Sequence, residues 1–529
     1  MTSQKKMVNA HAQHRLMIRV DAGPKIGTGH VMRCLALGQA WRRMGGQVTI
    51  LTSALPARLA LRIKKENFEL QTLATGCSKK SETQRINTYI AQHRPDWIVL
   101  DGYRFDDAYQ QAILLQNTRL LVIDDFGHAT HSGADAIFNQ NAYADTNDYD
   151  RQNRTQEIIT GLQYVLIRDE FQLDQEKPEG RQIALGQAKR ILLTFGGSDP
   201  HNTTRDAIKT LDKCAIQGTT VDVIVGPCNP HFESLKSVAK QSRLSIRFHA
   251  NVDRMATLFR RVDLAITAAG STCYELCHAG VPMIAVPIAD NQTPVAKSLV
   301  QQGAAMTLQP DELKSETAEN MIHQLVHNPK SRQSLSSTGR NLVDGQGAAR
   351  LARRLCAHLY RFRKPEEKDN SMLLDWHNDS EIRATRLGTS KASTTQPTHT
   401  SHNPEDEKQT DSWIIENRNG RPVGQIRLDS VHPNKTAIGI SLVPSLRGKG
   451  IGPTLIESAC RLAANDCEHV EFVAYIKPID FASQTAFRKA GFQAISTTTI
   501  NGEVALEYGY TPEHSMGIPH QVRHHLKAS

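Results

Sequence analysis

Apolar residues along the chain come in short runs separated by longer stretches of helical periodicity. Leu16-Met-Ile-Arg-Val20, Val48-Thr-Ile-Leu51, Trp97-Ile-Val-Leu100 and Leu120-Leu-Val-Ile123 read as buried parallel strands. Each run ends near a glycine or an aspartate, and helix-like stretches such as Val31 to Met44 lie between them. This alternation predicts a doubly wound α/β domain over residues 16–172. A charged, Gln-rich stretch from Leu173 to Lys189 breaks the pattern and reads as a linker. A second α/β series follows over residues 189–363, with strands at 190–195, 221–225, 245–248, 264–267 and 283–286. Two such domains in tandem predict a cleft between them, with a ligand at the carboxyl ends of the strands.

The helical pattern stops near Arg363, and Lys364-Pro-Glu-Glu-Lys-Asp-Asn370 reads as a second linker. A third α/β domain is expected over residues 372–510. Within it, residues 388–410 form a polar tract rich in Ser, Thr, His and Pro that is expected to be disordered. The residues after Thr511 read as a His-rich tail.

The chain has 529 residues, too many for one hydrophobic core, and a formal net charge of +9. The basic residues are spread out, which suits a solvated surface or anionic ligands such as nucleotide diphosphates and coenzyme A. Without a recognition motif they do not point to nucleic acid. The nine cysteines show no CxxC pair and no regular framework, as expected of free thiols in a reducing compartment. Cys273 and Cys277 lie four apart on a predicted helix but have no His or Cys partners nearby, so no metal site is expected. The polar, basic N-terminus lacks an apolar core of signal-peptide type, and no apolar run is long enough to span a bilayer. These features predict a cytoplasmic protein that is not bound to membranes, and they leave its oligomeric state open.

Three segments carry candidate chemistry in the first two domains. After the first strand comes Gly27-Thr-Gly-His-Val-Met-Arg33, opening the first helix. Glycines there let the backbone turn tightly, and the helix start favours negative charge. His30 at that position is placed for general-base work near neutral pH. In the second domain, Thr194-Phe-Gly-Gly-Ser-Asp-Pro200 follows a strand and has the form of a phosphate-cradling turn. Further on, Gly270-Ser-Thr272 leads into a helix bearing Glu275, a carboxylate able to accept from a ribose diol, and Asn291-Gln292 follows later.

Taken together, these segments resemble the UDP-2,4-diacetamido-2,4,6-trideoxy-β-L-altropyranose hydrolases of pseudaminic acid biosynthesis, relatives of the MurG-type GT-B glycosyltransferases. The resemblance covers residues 16–358 and includes Asp101-Gly-Tyr103, Ile123-Asp-Asp125, Asn139-Gln-Asn141 and Leu166-Ile-Arg-Asp-Glu-Phe171. It implies a GT-B arrangement and hydrolysis of the sugar–UDP bond by water. It further implies that His30 and Tyr103 are catalytic, that Asn291 holds the diphosphate and that Glu275 holds the uridine ribose. Gly29, Arg33, Gly197, Ser198, Ser271, Thr272 and Gln292 complete the expected substrate-binding set.

In the third domain, alternation over Ile438 to Val443 leads into Arg447-Gly-Lys-Gly-Ile-Gly452 and then a helix. Free amides in such a turn suit a pyrophosphate. This spacing, with Asp480-Phe-Ala-Ser483 and the ending Phe487-Arg-Lys-Ala-Gly-Phe492, resembles the GNAT acetyltransferases. The resemblance implies acetyl-CoA as co-substrate, bound by Arg447, Gly448, Lys449, Gly450, Ile451, Gly452, Asp480 and Ser483. The family usually has asparagine at the position of Asp480, and many members have a tyrosine at that of Phe487. These departures, with the tract at 388–410, weigh on turnover more than on coenzyme A binding.

The expected whole is α/β throughout: two Rossmann-like domains in a GT-B arrangement followed by a GNAT domain. Its predicted activities are hydrolysis of a UDP-linked diacetamido sugar and N-acetylation of the corresponding UDP-amino sugar. A GT-B glycosyltransferase and a catalytically silent sugar-nucleotide binder stay open as alternatives.

Overall fold

The computed structural model describes residues 14–24, 26–113, 118–149, 156–173, 186–250, 252–379, 410–432, 434–464 and 471–511. The polar tract expected at 388–410, apart from its last residue, the His-rich tail and most of the stretch 173–189 lie outside the described residues. The chain divides into two compact units, one of residues 13–42 and 46–352, the other formed chiefly by the residues from Arg353 onward.

The larger unit contains two all-parallel sheets. The first comprises β1 (Arg15–Val20), β2 (Gln47–Thr52), β3 (Glu69–Thr72), β4 (Trp97–Asp101), β5 (Arg119–Ile123), β6 (Ala136–Asn139) and β7 (Glu157–Thr160). Its spatial order is β3-β2-β1-β4-β5-β6-β7. The second comprises β8 (Arg190–Thr194), β9 (Thr220–Val225), β10 (Ser245–Ala250), β11 (Leu264–Ala268), β12 (Met283–Val286) and β13 (Met306–Thr307), in the order β10-β9-β8-β11-β12-β13. Helices cover both faces of each sheet, which is why the central strands are continuous apolar runs: Trp97, Ile98, Val99 and Leu100 are all fully buried.

The smaller unit is one mixed sheet, β14 (Tyr360–Arg363), β15 (Thr410–Asn417), β16 (Pro422–His432), β17 (Lys435–Leu442), β18 (Glu471–Ile476), β19 (Gln493–Ile500) and β20 (Glu503–Tyr510). The order is β14-β15-β16-β17-β18-β20-β19. All neighbours are antiparallel except β17 and β18.

Here the structure corrects two boundaries. Residues 360–363, expected to close the second domain, pair antiparallel with β15 and are the first strand of the third sheet. Their apolar positions, Tyr360 and Phe362, alternate with arginines, the period of a half-buried strand rather than of a helix end. The expected linker after Arg363 is a hydrogen-bonded corner. Arg363 forms a fork on Asp369 at 2.6 and 2.9 Å and also reaches Glu416 at 2.6 Å, and a short turn at Glu367–Asp369 leads directly into the helix Asn370–Asn378. Among the described residues no helix is long and apolar enough to cross a membrane.

Candidate active site

In the first sheet the winding reverses between β1 and β4, so the loops leaving those strands part to opposite faces and open a crevice at their carboxyl ends. The loop after β1 carries Gly27 and Thr28 and runs into the helix Gly29–Arg43, which bears His30, and β4 itself ends on Asp101. The second sheet repeats the device between β8 and β11, whose loops carry Phe195 to Ser198 and Ala269 to Ser271. Both crevices open into one cavity of about 870 Å³. Gly29, His30, Arg33, Tyr103, Gly197, Ser198, Ser271, Thr272, Glu275, Asn291 and Gln292 all line it.

His30 sits in the first turn of the helix Gly29–Arg43, with Nδ1 2.6 Å from Asp101 Oδ1. A carboxylate on Nδ1 fixes the tautomer that donates there and leaves Nε2 as an acceptor for the cleft. Arg33, one turn along the same helix, donates to both oxygens of Asp101 at 2.7 and 2.6 Å and to Asp125 at 2.8 Å. Arg33, expected to bind substrate, lines the cavity while its guanidinium holds two buried carboxylates. Burial alone would push the Asp101 carboxyl up, but Arg33 and the His30 ring hold it well below the usual carboxylate range. Asp125 is lowered in the same way, burial opposing and Arg33 prevailing.

The Tyr103 ring stands edge-on to His30 at 5.1 Å, and its hydroxyl donates to Asp125 at 2.8 Å. Burial and the Asp125 charge both raise its pKa, so the hydroxyl stays protonated. Asn291, from the other half of the cleft, donates to that same hydroxyl at 2.9 Å. Asn141 donates to Asp125 at 2.9 Å and accepts from Tyr274 at 2.9 Å, a second link between the halves. Gln292 uses its carbonyl to accept from the Ile288 amide at 3.0 Å, which holds its own turn.

The second half supplies a turn built for close approach. A Cβ on Gly197 would lie 2.9 Å from the Thr28 side chain, and one on Gly226 would lie 2.4 Å from the carbonyl oxygens of Gly196 and Gly197. Glu275 lies in the first turn of the helix Thr272–Ala279. Its Oε1 accepts from Arg168 Nε at 2.9 Å and lies 2.8 Å from Nη2.

The residues that sequence reasoning left without a role are Asp101, Asp125, Asn141, Arg168 and Tyr274. Their signal was positional: Asp101 and Asp125 stand at or just beyond the carboxyl ends of β4 and β5, where this fold places ligand-facing groups. No metal cluster was expected, yet Asp124, His128 and His131 bring metal-capable atoms within 4.8 Å of one another. The Asp124 carboxylate there accepts from the amides of Asp125, Phe126, Gly127 and His128 and lies 2.7 Å from His128 Nδ1, so it braces its own loop.

In the smaller unit, β17 and β18 pair only over Lys435–Ala437 against Glu471–Val473. β17 then runs on to Leu442 and β18 to Ile476, so the two strands part and, among the described residues, no strand pairs with the carboxyl half of β17 on that side. Just beyond the split lies the Arg447 turn, where Gly448 and Gly450 have φ of 71° and 74°, values that favour glycine. Lys449 is exposed and Ile451 buried; Gly452 begins the helix Gly452–Ala464. Arg447 itself donates to the Leu442 carbonyl at 2.8 Å, bracing the turn. Asp480 caps the helix Phe481–Lys489 by accepting from the Ser483 amide at 2.9 Å. Phe487 is buried edge-on to Phe492 at 5.0 Å.

Comparison with known proteins agrees with this architecture. Residues 191–353 match the glycosyltransferase family 28 C-terminal domain, and residues 360–493 match the acetyltransferase (GNAT) domain. The chain is 29% identical over 345 residues to the spore coat polysaccharide biosynthesis protein SpsG of Bacillus subtilis, covering 63% of this chain and 95% of that protein. It is 25% identical over 291 residues to the UDP-2,4-diacetamido-2,4,6-trideoxy-beta-L-altropyranose hydrolase of Campylobacter jejuni, covering 55% of this chain and 97% of that enzyme. It is also 25% identical over 275 residues to the uncharacterized protein MJ1062 of Methanocaldococcus jannaschii, a match that covers 51% of this chain and spans only 55% of that protein's length. The chain is thus an α/β protein in which a unit of two parallel sheets, the second matching the glycosyltransferase family 28 C-terminal domain, is followed by a unit that matches the acetyltransferase (GNAT) domain.

Proposed function

We propose that the GT-B unit hydrolyses a UDP-linked 2,4-diacetamido-2,4,6-trideoxy sugar to free sugar and UDP. The observation that carries this reading is the His30–Asp101 pair at 2.6 Å, which occupies Nδ1 of a ring that lines the cleft and leaves Nε2 for the water. In the reaction, water attacks the anomeric carbon, the carbon–oxygen bond to the diphosphate breaks with its electron pair going to UDP, and Nε2 takes the water proton. Asp101 stabilises the imidazolium that results, as a carboxylate does in other base–carboxylate pairs. The amides of Gly197 and Ser198 and the Asn291 side chain receive the diphosphate, and Glu275 receives the ribose. Because UDP is already a good leaving group, positioning and electrostatic support supply most of what the reaction needs.

The GNAT domain, on this reading, uses acetyl-CoA to acetylate the 4-amino group of the UDP-amino-sugar precursor. The amine attacks the thioester carbonyl, the carbon–sulfur bond breaks, and coenzyme A leaves as the thiol once the amine proton is passed on. The diacetamido product is what the hydrolase consumes, so the two domains act in sequence and the protein works among soluble metabolites of the cytoplasm. A second reading, transfer of the sugar to an acceptor, is favoured by the glycosyltransferase description of the family matched at residues 191–353.

The deciding experiment incubates the protein with UDP-2,4-diacetamido-2,4,6-trideoxy-β-L-altropyranose and follows UDP and free sugar. Equal release of both without an acceptor is expected, with a loss of roughly 10²–10⁴-fold in kcat for His30→Ala. Release that requires an added acceptor would establish the transferase reading instead, and intact substrate under both conditions would overturn both.

A further inference from the structure

We infer that Arg168 is a positioning residue for nucleoside recognition: by holding one oxygen of Glu275 it reserves the other for the ribose hydroxyls. The inference rests on the reading of the cleft as a UDP site and adds a residue to it. Arg168 leaves the loop before the short helix Asp169–Leu173 in the first half, and its side chain is almost wholly buried. Both Nε, at 2.9 Å, and Nη2, at 2.8 Å, converge on Oε1 of Glu275 in the second half. No donor among the described residues reaches Oε2, although Glu275 is 7% exposed and lines the cavity.

A carboxylate free to rotate offers either oxygen in many directions, whereas one with an oxygen pinned from behind offers its partner in a single direction. A carboxylate oxygen has lone pairs for both hydroxyls of a vicinal diol. Arg168 is itself fixed from its other side. Its Nη1 lies 2.5 Å from Glu170, whose carboxylate also meets Arg62 at 3.3 Å, and its guanidinium lies 5.2 Å from the Phe171 ring. Lysine, a single point charge, cannot hold one oxygen with two donors in this way.

The test measures binding of UDP and of 2′-deoxy-UDP to the full-length protein by calorimetry, for wild type, Arg168→Lys, Arg168→Met, Glu275→Gln and Arg168→Met/Glu275→Gln. Wild type is expected to prefer UDP by about tenfold or more, since a hydroxyl bonded to a charged acceptor is lost in the deoxy ligand. The arginine variants are expected to lose most of that preference while keeping affinity for 2′-deoxy-UDP within about threefold. The double variant should then lose no more than either single one, because both act on a single interaction. A purely structural role for Arg168 would weaken both ligands equally and leave the preference intact, which overturns the inference. Wild-type protein that fails to bind UDP would instead overturn the nucleotide reading itself. Arg168→Lys, which keeps a charge beside both glutamates, guards against a variant that merely fails to fold.

Discussion

At the scale of single residues, the candidate site is organised around buried carboxylates rather than around its histidine. Asp101 is 1% exposed, yet it receives Arg33, His30 and the Cys34 thiol, whose Sγ lies 3.3 Å from Oδ2. Its charge is therefore compensated by these partners, and on the proposed reading it orients the ring. Asp101→Asn keeps the shape but offers His30 an amide, which can stabilise the wrong tautomer. The expected outcome is a fall in kcat of about 10²–10⁴-fold with UDP affinity little changed, read from steady-state kinetics beside calorimetry. Equal losses in kcat and in UDP binding would show instead that the aspartate shapes the whole cleft. Much of this arrangement was hidden in the sequence. His30 and Glu275 could be singled out because each follows a glycine-rich turn, whereas Tyr103 was reached only through the resemblance carried by Asp101-Gly-Tyr103. The bond from His30 to Asp101 spans 71 positions and that from Arg168 to Glu275 spans 107, and no local pattern records such pairings.

At the scale of elements, strands buried on both faces could be read from their apolar runs and some half-buried ones, such as β17, from alternation, but short or exposed strands could not. β3 is four residues long and mostly exposed, while β13 has only two residues, so neither offers a run to detect. The alternation of β14 is masked by the helical residues before it, so residues 360–363 read as the end of the second domain. Glycine placement is more telling than strand content for the phosphate side of the cleft. The segment at Gly226 lies against the turn of Gly196 and Gly197, and the Cys228 amide donates to the Gly197 carbonyl at 2.9 Å. Gly226→Ala would force a methyl group into that contact and push the turn toward Thr28. A cost of roughly 1–3 kcal/mol is typical of such overpacking, and it should appear as weaker UDP binding. Unchanged affinity in calorimetry would mean that the turn does not receive the diphosphate.

For the whole molecule, the division into two compact units predicts that each answers to its own ligand. Differential scanning calorimetry should resolve two transitions. Saturating UDP should raise the one that belongs to the larger unit, and acetyl-CoA the other, each by about 2.7 kcal/mol of linkage at a ligand concentration of 100 Kd. A single transition that both ligands shift would contradict that independence. The parting of β17 from β18 gives the second shift a concrete meaning. Acetyl-CoA carries a peptide-like arm, and along Ile438–Ser441 the strand offers amides and carbonyls that, among the described residues, no neighbouring strand on that side satisfies. An arm lying there would complete the hydrogen-bond ladder much as a borrowed strand does, so the sheet would be whole only when the metabolite is present. The resistance of this unit to unfolding would then rise with the concentration of acetyl-CoA, as if the metabolite were one of its strands.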